Sequence, residues 1–172
     1  MKETTAKKKF MWNMAGRLCN SLSSLLLLII VNRISGESRG GFFALAYSTA
    51  QLLFSVGGFE FRPVQSTDIK NKFTYNQYFT SRMLNSIIML ICMIGYIVVN
   101  GYTGVEALTV FWILGYRMVE AVADVYSGLF QQRERIDISG KEMLMRSGIS
   151  TITFTIILRL TDNLLYAAMT LT

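Results

Sequence analysis

The chain has 172 residues, 52% of them hydrophobic and only 16% charged, with a formal net charge of +6. A soluble domain carries about 25% charged residues. The basic residues here flank apolar runs instead of forming one patch, so the composition argues for lipid as the partner and against nucleic acid. There is no histidine, and the two cysteines, Cys19 and Cys92, lie inside apolar segments; no metal site, disulfide or cofactor is expected.

A span takes about 20 mostly apolar helical residues, because the hydrocarbon core of a bilayer is about 30 Å thick. The basic N-terminus, Lys2 to Lys9, precedes such a run and looks like a signal sequence. No small-residue cleavage site follows Leu25–Val31, where Asn32, Arg33 and Ile34 come next, so residues 10–31 read as an uncleaved first span. Further spans are expected at 40–59, 83–99, 107–130 and 143–160. Residues 163–172 are apolar again but too short to cross, and read as a truncated sixth. The fold class is all-α, a polytopic transmembrane helix bundle.

The connections alternate in character. Asn100–Gly104 is a short uncharged turn, whereas 60–82 and 131–146 are longer and basic. Lysines and arginines up to Arg17, from Arg62 to Arg82 and from Arg133 to Arg146 all fall on one side of a five-span bundle. Only Arg33, Arg39 and Arg159 fall on the other, and Arg117 lies within a span. The positive-inside rule then places the N-terminus and both basic loops in the cytoplasm.

Polar side chains within spans are costly and face a bundle interior or a water-filled cavity. In the first span Asn13, Arg17, Asn20 and Ser24 follow helical spacing and form one stripe. It reads either as the wall of an inward-open cavity offering Arg17 to an anion, or as a set from which Arg17 snorkels to the headgroups. In the second span Gly40, Ala44 and Ser48 form a small-residue packing face beside the polar line Tyr47, Gln51 and Ser55. In the fourth, Glu106, Arg117, Glu120, Asp124 and Gln131 share a stripe. That stripe is either an internally neutralised ion-pair network or a site where Arg117 meets a substrate phosphate and the carboxylates tune it. The candidate cavity set is therefore Asn13, Arg17, Asn20, Gln51, Arg117, Glu120 and Asp124. No nucleophile elbow and no phosphate-binding Gly-Lys loop occurs, so an enzyme is not expected.

The loops carry the most specific signals: F-E-F-R-P-V-Q-S-T-D at Phe59 to Asp68, Y-F-T-S-R ending at Arg82, and G-L-F-Q-Q-R-E-R-I-D-I-S-G-K at Gly128 to Lys141. These resemble the cytoplasmic loops of polysaccharide transporters of the O-antigen and teichoic-acid export type. That family belongs to the multidrug/oligosaccharidyl-lipid/polysaccharide flippase superfamily. Arg62, Gln65, Asp68 and Arg82 match the first loop, and Gln131, Arg135, Asp137 and Lys141 the second, as structural or gating positions whose basic members could also anchor the loops to anionic headgroups. The resemblance covers the chain but only the N-terminal portion of the family's length. It implies the first lobe of a two-lobe transporter, with a missing C-terminal lobe as partner. The implied substrate is an undecaprenyl-diphosphate-linked oligosaccharide, flipped across the bacterial cytoplasmic membrane for surface polysaccharide biosynthesis. The competing expectations are a drug or cation antiporter of the same superfamily, and a non-transporting membrane remnant or subunit.

Overall fold

A continuous helix through residues 2–58 would extend about 85 Å, far beyond the thickness of any bilayer. In the computed structural model it does not run straight. Helix α1 (Lys2–Gly58) breaks at Gly36, where φ is +85° and ψ 171°, a backbone conformation that L side chains avoid. The chain doubles back there: a Cβ on Gly40 would lie 2.7 Å from Asn32 Oδ1 and 3.1 Å from Asn32 Cα. The glycine at position 40 thus lets the two arms of α1 meet backbone to side chain. The structure describes residues 2–58, 61–68 and 72–172, with the side chains of 2–5, 56–58 and 61–62 outside the description.

Among the described residues five more helices follow: α2 (Phe61–Thr67), α3 (Tyr75–Val99), α4 (Gly104–Gln132), α5 (Ile136–Thr161) and α6 (Leu164–Met169). The described residues hold no strand, and the fold is all-helical. Three helices, α1, α3 and α5, are long and apolar enough to cross a membrane. Their apolar side chains point outward: Leu25, Ile91, Val98 and Ile152 are all more than half exposed, whereas Arg82, Arg117 and Glu120 are buried. A soluble domain does the reverse, so the chain is a membrane protein.

The core lies between the two arms of α1 and the facing sides of α4, α5 and α6. It contains Leu27, Val31, Phe43, Ala46, Ile113, Phe154 and Leu158. Phe43 packs on Phe154 with ring centroids 5.6 Å apart. The tightest approach is between the first arm of α1 and α5. A Cβ on Gly16 would overlap the carbonyl oxygen of Gly140, and one on Gly140 would overlap Trp12 O and lie 2.6 Å from Asn13 Cα. Small residues let the helix backbones touch, which is how helices gain dispersion contact where lipid supplies no hydrophobic drive. Ser147, two turns further along α5, is buried and donates its hydroxyl to Met143 O at 2.7 Å while lying 3.4 Å from Cys19 Sγ.

The helices differ from the expected spans at their basic ends. The connection expected between 31 and 40 is helical apart from the break at Gly36. Helix α3 starts at Tyr75 instead of 83, opened by Thr74, whose N–H donates to Gln77 Oε1 at 2.8 Å. Arg82 therefore stands on a helix and not in a loop. Helix α5 starts at Ile136 instead of 143, so Asp137 and Lys141 are helical too, and only Arg133–Arg135 separates it from α4. The segment at 163–172 forms α6, a six-residue helix whose Asn163 Oδ1 accepts from Leu165 N–H at 3.0 Å. At the opposite end from the 133–135 turn, Arg39 reaches Asp162 at 3.2 Å with both side chains more than half exposed, a contact that contributes little to stability.

Candidate functional site

One end of the bundle gathers the N-terminal half of α1, the end of its second arm, α2, the last turns of α4 and the first of α5. Between the two arms of α1, α4 and α5 opens a cavity of about 830 Å³. From the first arm of α1 come Arg17, Asn20 and Ser24; from the second, Tyr47, Gln51 and Ser55; from α4, Arg117, Glu120 and Asp124; from α5, Met143 and Arg146. The middle of the stripe expected on α4 and most of the one on α1 thus face one space, whereas Glu106 and Gln131 at the two ends of the α4 stripe do not line it, Glu106 standing instead near Arg39 and Asp162. Asn13 does not line it: its Cα lies instead against Gly140, on the seam with α5.

The charges are paired in a way that no single helix dictates. Arg117 donates through Nη1 to Glu120 Oε2, one turn away, and through Nη2 to the Tyr47 hydroxyl at 2.5 Å. Its guanidinium also lies 4.7 Å from the centre of the Tyr47 ring and 5.4 Å from that of Tyr116, so the cation is held by π faces as well as by oxygen. The other carboxylate oxygen of Glu120 faces Arg146 Nη2 at 3.3 Å, and Arg146 Nε donates to Glu142 at 2.8 Å. Asp124, expected to belong with Arg117 in one network, instead meets Arg82 of α3 at 3.3 Å. Both carboxylates on the wall are therefore engaged by arginines, and Glu120 by two. The buried Nε of Arg117 has no hydrogen-bond acceptor among the described residues.

The matched loop residues serve the same end of the bundle in different ways. Gln65 is buried and lies over Gly128, where a Cβ would overlap its Oε1, and its amide donates to Val125 O at 3.3 Å. It docks α2 on α4. Asp68 accepts from the backbone N–H of Lys72 at 2.9 Å and of Phe73 at 3.1 Å, and from the Tyr78 hydroxyl at 3.0 Å. Those donors, the Lys72 amide first, hold its carboxyl below the usual carboxylate range. The backbone carbonyl of Asp68 in turn accepts from Gln132 Nε2 at 2.9 Å. Arg82, expected in a loop as a possible headgroup anchor, is buried in the pair with Asp124, because α3 begins a full two turns earlier than its apolar stretch. Gln131 is half-buried at the end of α4. Arg135 and Asp137 pair at 3.3 Å, and Lys141 Nζ lies 5.3 Å from the Trp12 ring centre. The side chain of Arg62 lies outside the described residues.

One cavity residue escapes a reading by spans. Arg146 was assigned to a basic loop, yet Asp137 in the first turn of α5 and the small residues Ser139, Gly140 and Ser147 were signals that the helix starts earlier. Tyr47, on the polar line of the second span, accepts an interhelical hydrogen bond from Arg117. No family model, no curated protein and no solved structure matches the chain.

Proposed function

We propose that this chain is the first lobe of a flippase that moves lipid-linked oligosaccharide across the bacterial cytoplasmic membrane for surface polysaccharide biosynthesis. The carrying observation is the wall of the cavity: Arg17, Arg117 and Arg146 face it, and its two carboxylates already have arginine partners. A diphosphate group entering a low-dielectric space needs fixed cations and N–H donors, and the planar guanidinium suits phosphate geometry. A cation antiporter of the same superfamily would need a carboxylate left available, and neither Glu120 nor Asp124 is. In this reading the bundle crosses the membrane five times, through both arms of α1 and through α3, α4 and α5. The N-terminus, α2 and the 133–135 turn lie in the cytoplasm, and the cavity opens inward. A second lobe completes the transporter, because alternating access rocks one repeat against another; the 172-residue chain by itself is not expected to transport.

Two measurements test this. For topology, an impermeant thiol reagent should label Thr103→Cys from the outside only, in a protein lacking Cys19 and Cys92. Thr103 is exposed in the turn between α3 and α4, and labelling from the cytoplasmic side alone would invert the assignment. For ligand class, the purified chain in nanodiscs should retain undecaprenyl diphosphate in native mass spectra and lose it in Arg17→Gln and Arg117→Lys. Retention of a lipophilic cation such as tetraphenylphosphonium, with no binding of the diphosphate, would favour the antiporter reading instead.

A further inference from the structure

A second cationic crevice lies apart from the cavity, with which it shares no lining residue. It has a volume of about 420 Å³ and is walled by Lys8, Lys9 and Trp12 of α1 and by Arg135, Asp137 and Lys141 at the start of α5. Four cations thus surround one carboxylate, and that carboxylate is already engaged by Arg135 at 3.3 Å. The crevice is built from two directions. Lys9 Nζ donates to Glu134 O at 2.8 Å, tying the N-terminal arm to the α4–α5 turn, and the Lys141 ammonium lies 5.3 Å from the Trp12 ring centre. The backbone contact between Gly16 and Gly140 fixes the two helices just beyond it.

Its setting identifies the ligand chemistry. Along the same arm of α1, Phe10, Met11, Met14 and Leu18, all within six residues of Trp12, are exposed apolar side chains. Trp12 is the kind of amphipathic ring that sits at the membrane–water boundary. A ligand held here would place a negative group among the lysines and hydrocarbon along the first arm of α1. We infer that this crevice binds the phosphodiester headgroup of an anionic phospholipid, with its acyl chains lying on the exposed face of α1. The site rests on the membrane setting of the chain and not on the flippase reading.

The test uses the full chain carrying Trp112→Phe, so that Trp12 is the one remaining tryptophan, in phosphatidylcholine nanodiscs doped with phosphatidylglycerol. Phosphatidylglycerol brominated on its acyl chains should quench Trp12 more strongly than brominated phosphatidylcholine at equal mole fraction. Each cation near an anionic lipid surface contributes roughly a fivefold preference, so Lys8→Gln and Lys141→Gln should each lower the preference about fivefold. Lys7→Gln, whose side chain does not line the crevice, should lower it less. Inorganic phosphate at millimolar concentration should not abolish quenching; if it does, the crevice takes free phosphate and the lipid assignment fails. Equal quenching by the two lipids, or an equal loss in Lys7→Gln and Lys8→Gln, would overturn the site. Undecaprenyl diphosphate binding in the central cavity should persist in Lys8→Gln, so failure of one site is distinguishable from failure of the other.

Discussion

Gly140→Ala is expected to destabilise the bundle by about 3 kcal/mol, the upper end of overpacking costs, although it adds one methyl group. The new Cβ would overlap Trp12 O and approach Asn13 Cα to 2.6 Å. These are backbone atoms, so no side chain can swing aside and the first arm of α1 must move as a unit. That arm carries Arg17 and Asn20, so the cavity widens with it. Gly148→Ala, on the same helix, is the matched control: nothing lies within 4 Å of a Cβ there. Removing a helical glycine gains up to about 1 kcal/mol, so this variant should equal or exceed the parent. Reversible unfolding in mixed detergent micelles measures both. Equal stabilities for the two alanine variants would mean that the seam between α1 and α5 is not where the structure puts it.

Glu120→Met should cost about 3–5 kcal/mol, because it leaves two arginines facing each other in a low-dielectric interior with their shared carboxylate gone. Glu120 is only 5% exposed in its side chain and bridges Arg117 of its own helix to Arg146 of α5. The double variant Arg117→Met/Glu120→Met should recover most of that loss. Arg146 keeps Glu142 at 2.8 Å, so no uncompensated charge remains, and apolar replacement of a whole buried pair is often neutral. The double variant separates stability from binding: it should fold near parental stability yet fail to retain undecaprenyl diphosphate. If Glu120→Met alone unfolds like the parent, the bridge contributes nothing. If the double variant binds as the parent does, Arg117 is not a ligand-facing residue.

Much of the architecture was legible in local sequence. Charge-free runs long enough to span, such as the one between Arg82 and Glu106, specify helices because only a helix satisfies its own backbone in hydrocarbon. The polar stripes were legible as well, since helical spacing alone places Arg17 and Asn20 on one side of α1 and Arg117, Glu120 and Asp124 on one side of α4. What spacing cannot supply is the partner across the bundle. Glu120 lies one turn and Asp124 two turns beyond Arg117 along α4, and spacing cannot tell that Arg82 of α3 pairs with Asp124 while Arg146 of α5 takes the far side of Glu120. Arg82 and Arg146 stand at the polar ends of their apolar stretches, where hydropathy ends a span. Their helices extend two turns further at one end because tertiary contacts, Asp68 stapling the loop before α3 and Gly140 seating α5 on α1, stabilise polar helical turns that composition alone leaves undecided. Composition and periodicity determined the membrane-spanning character of the chain and the faces of its helices. The packing of α1, α3, α4 and α5 decided which charges meet across the bundle, since Coulomb pairing depends on distances between helices that one-dimensional spacing does not contain.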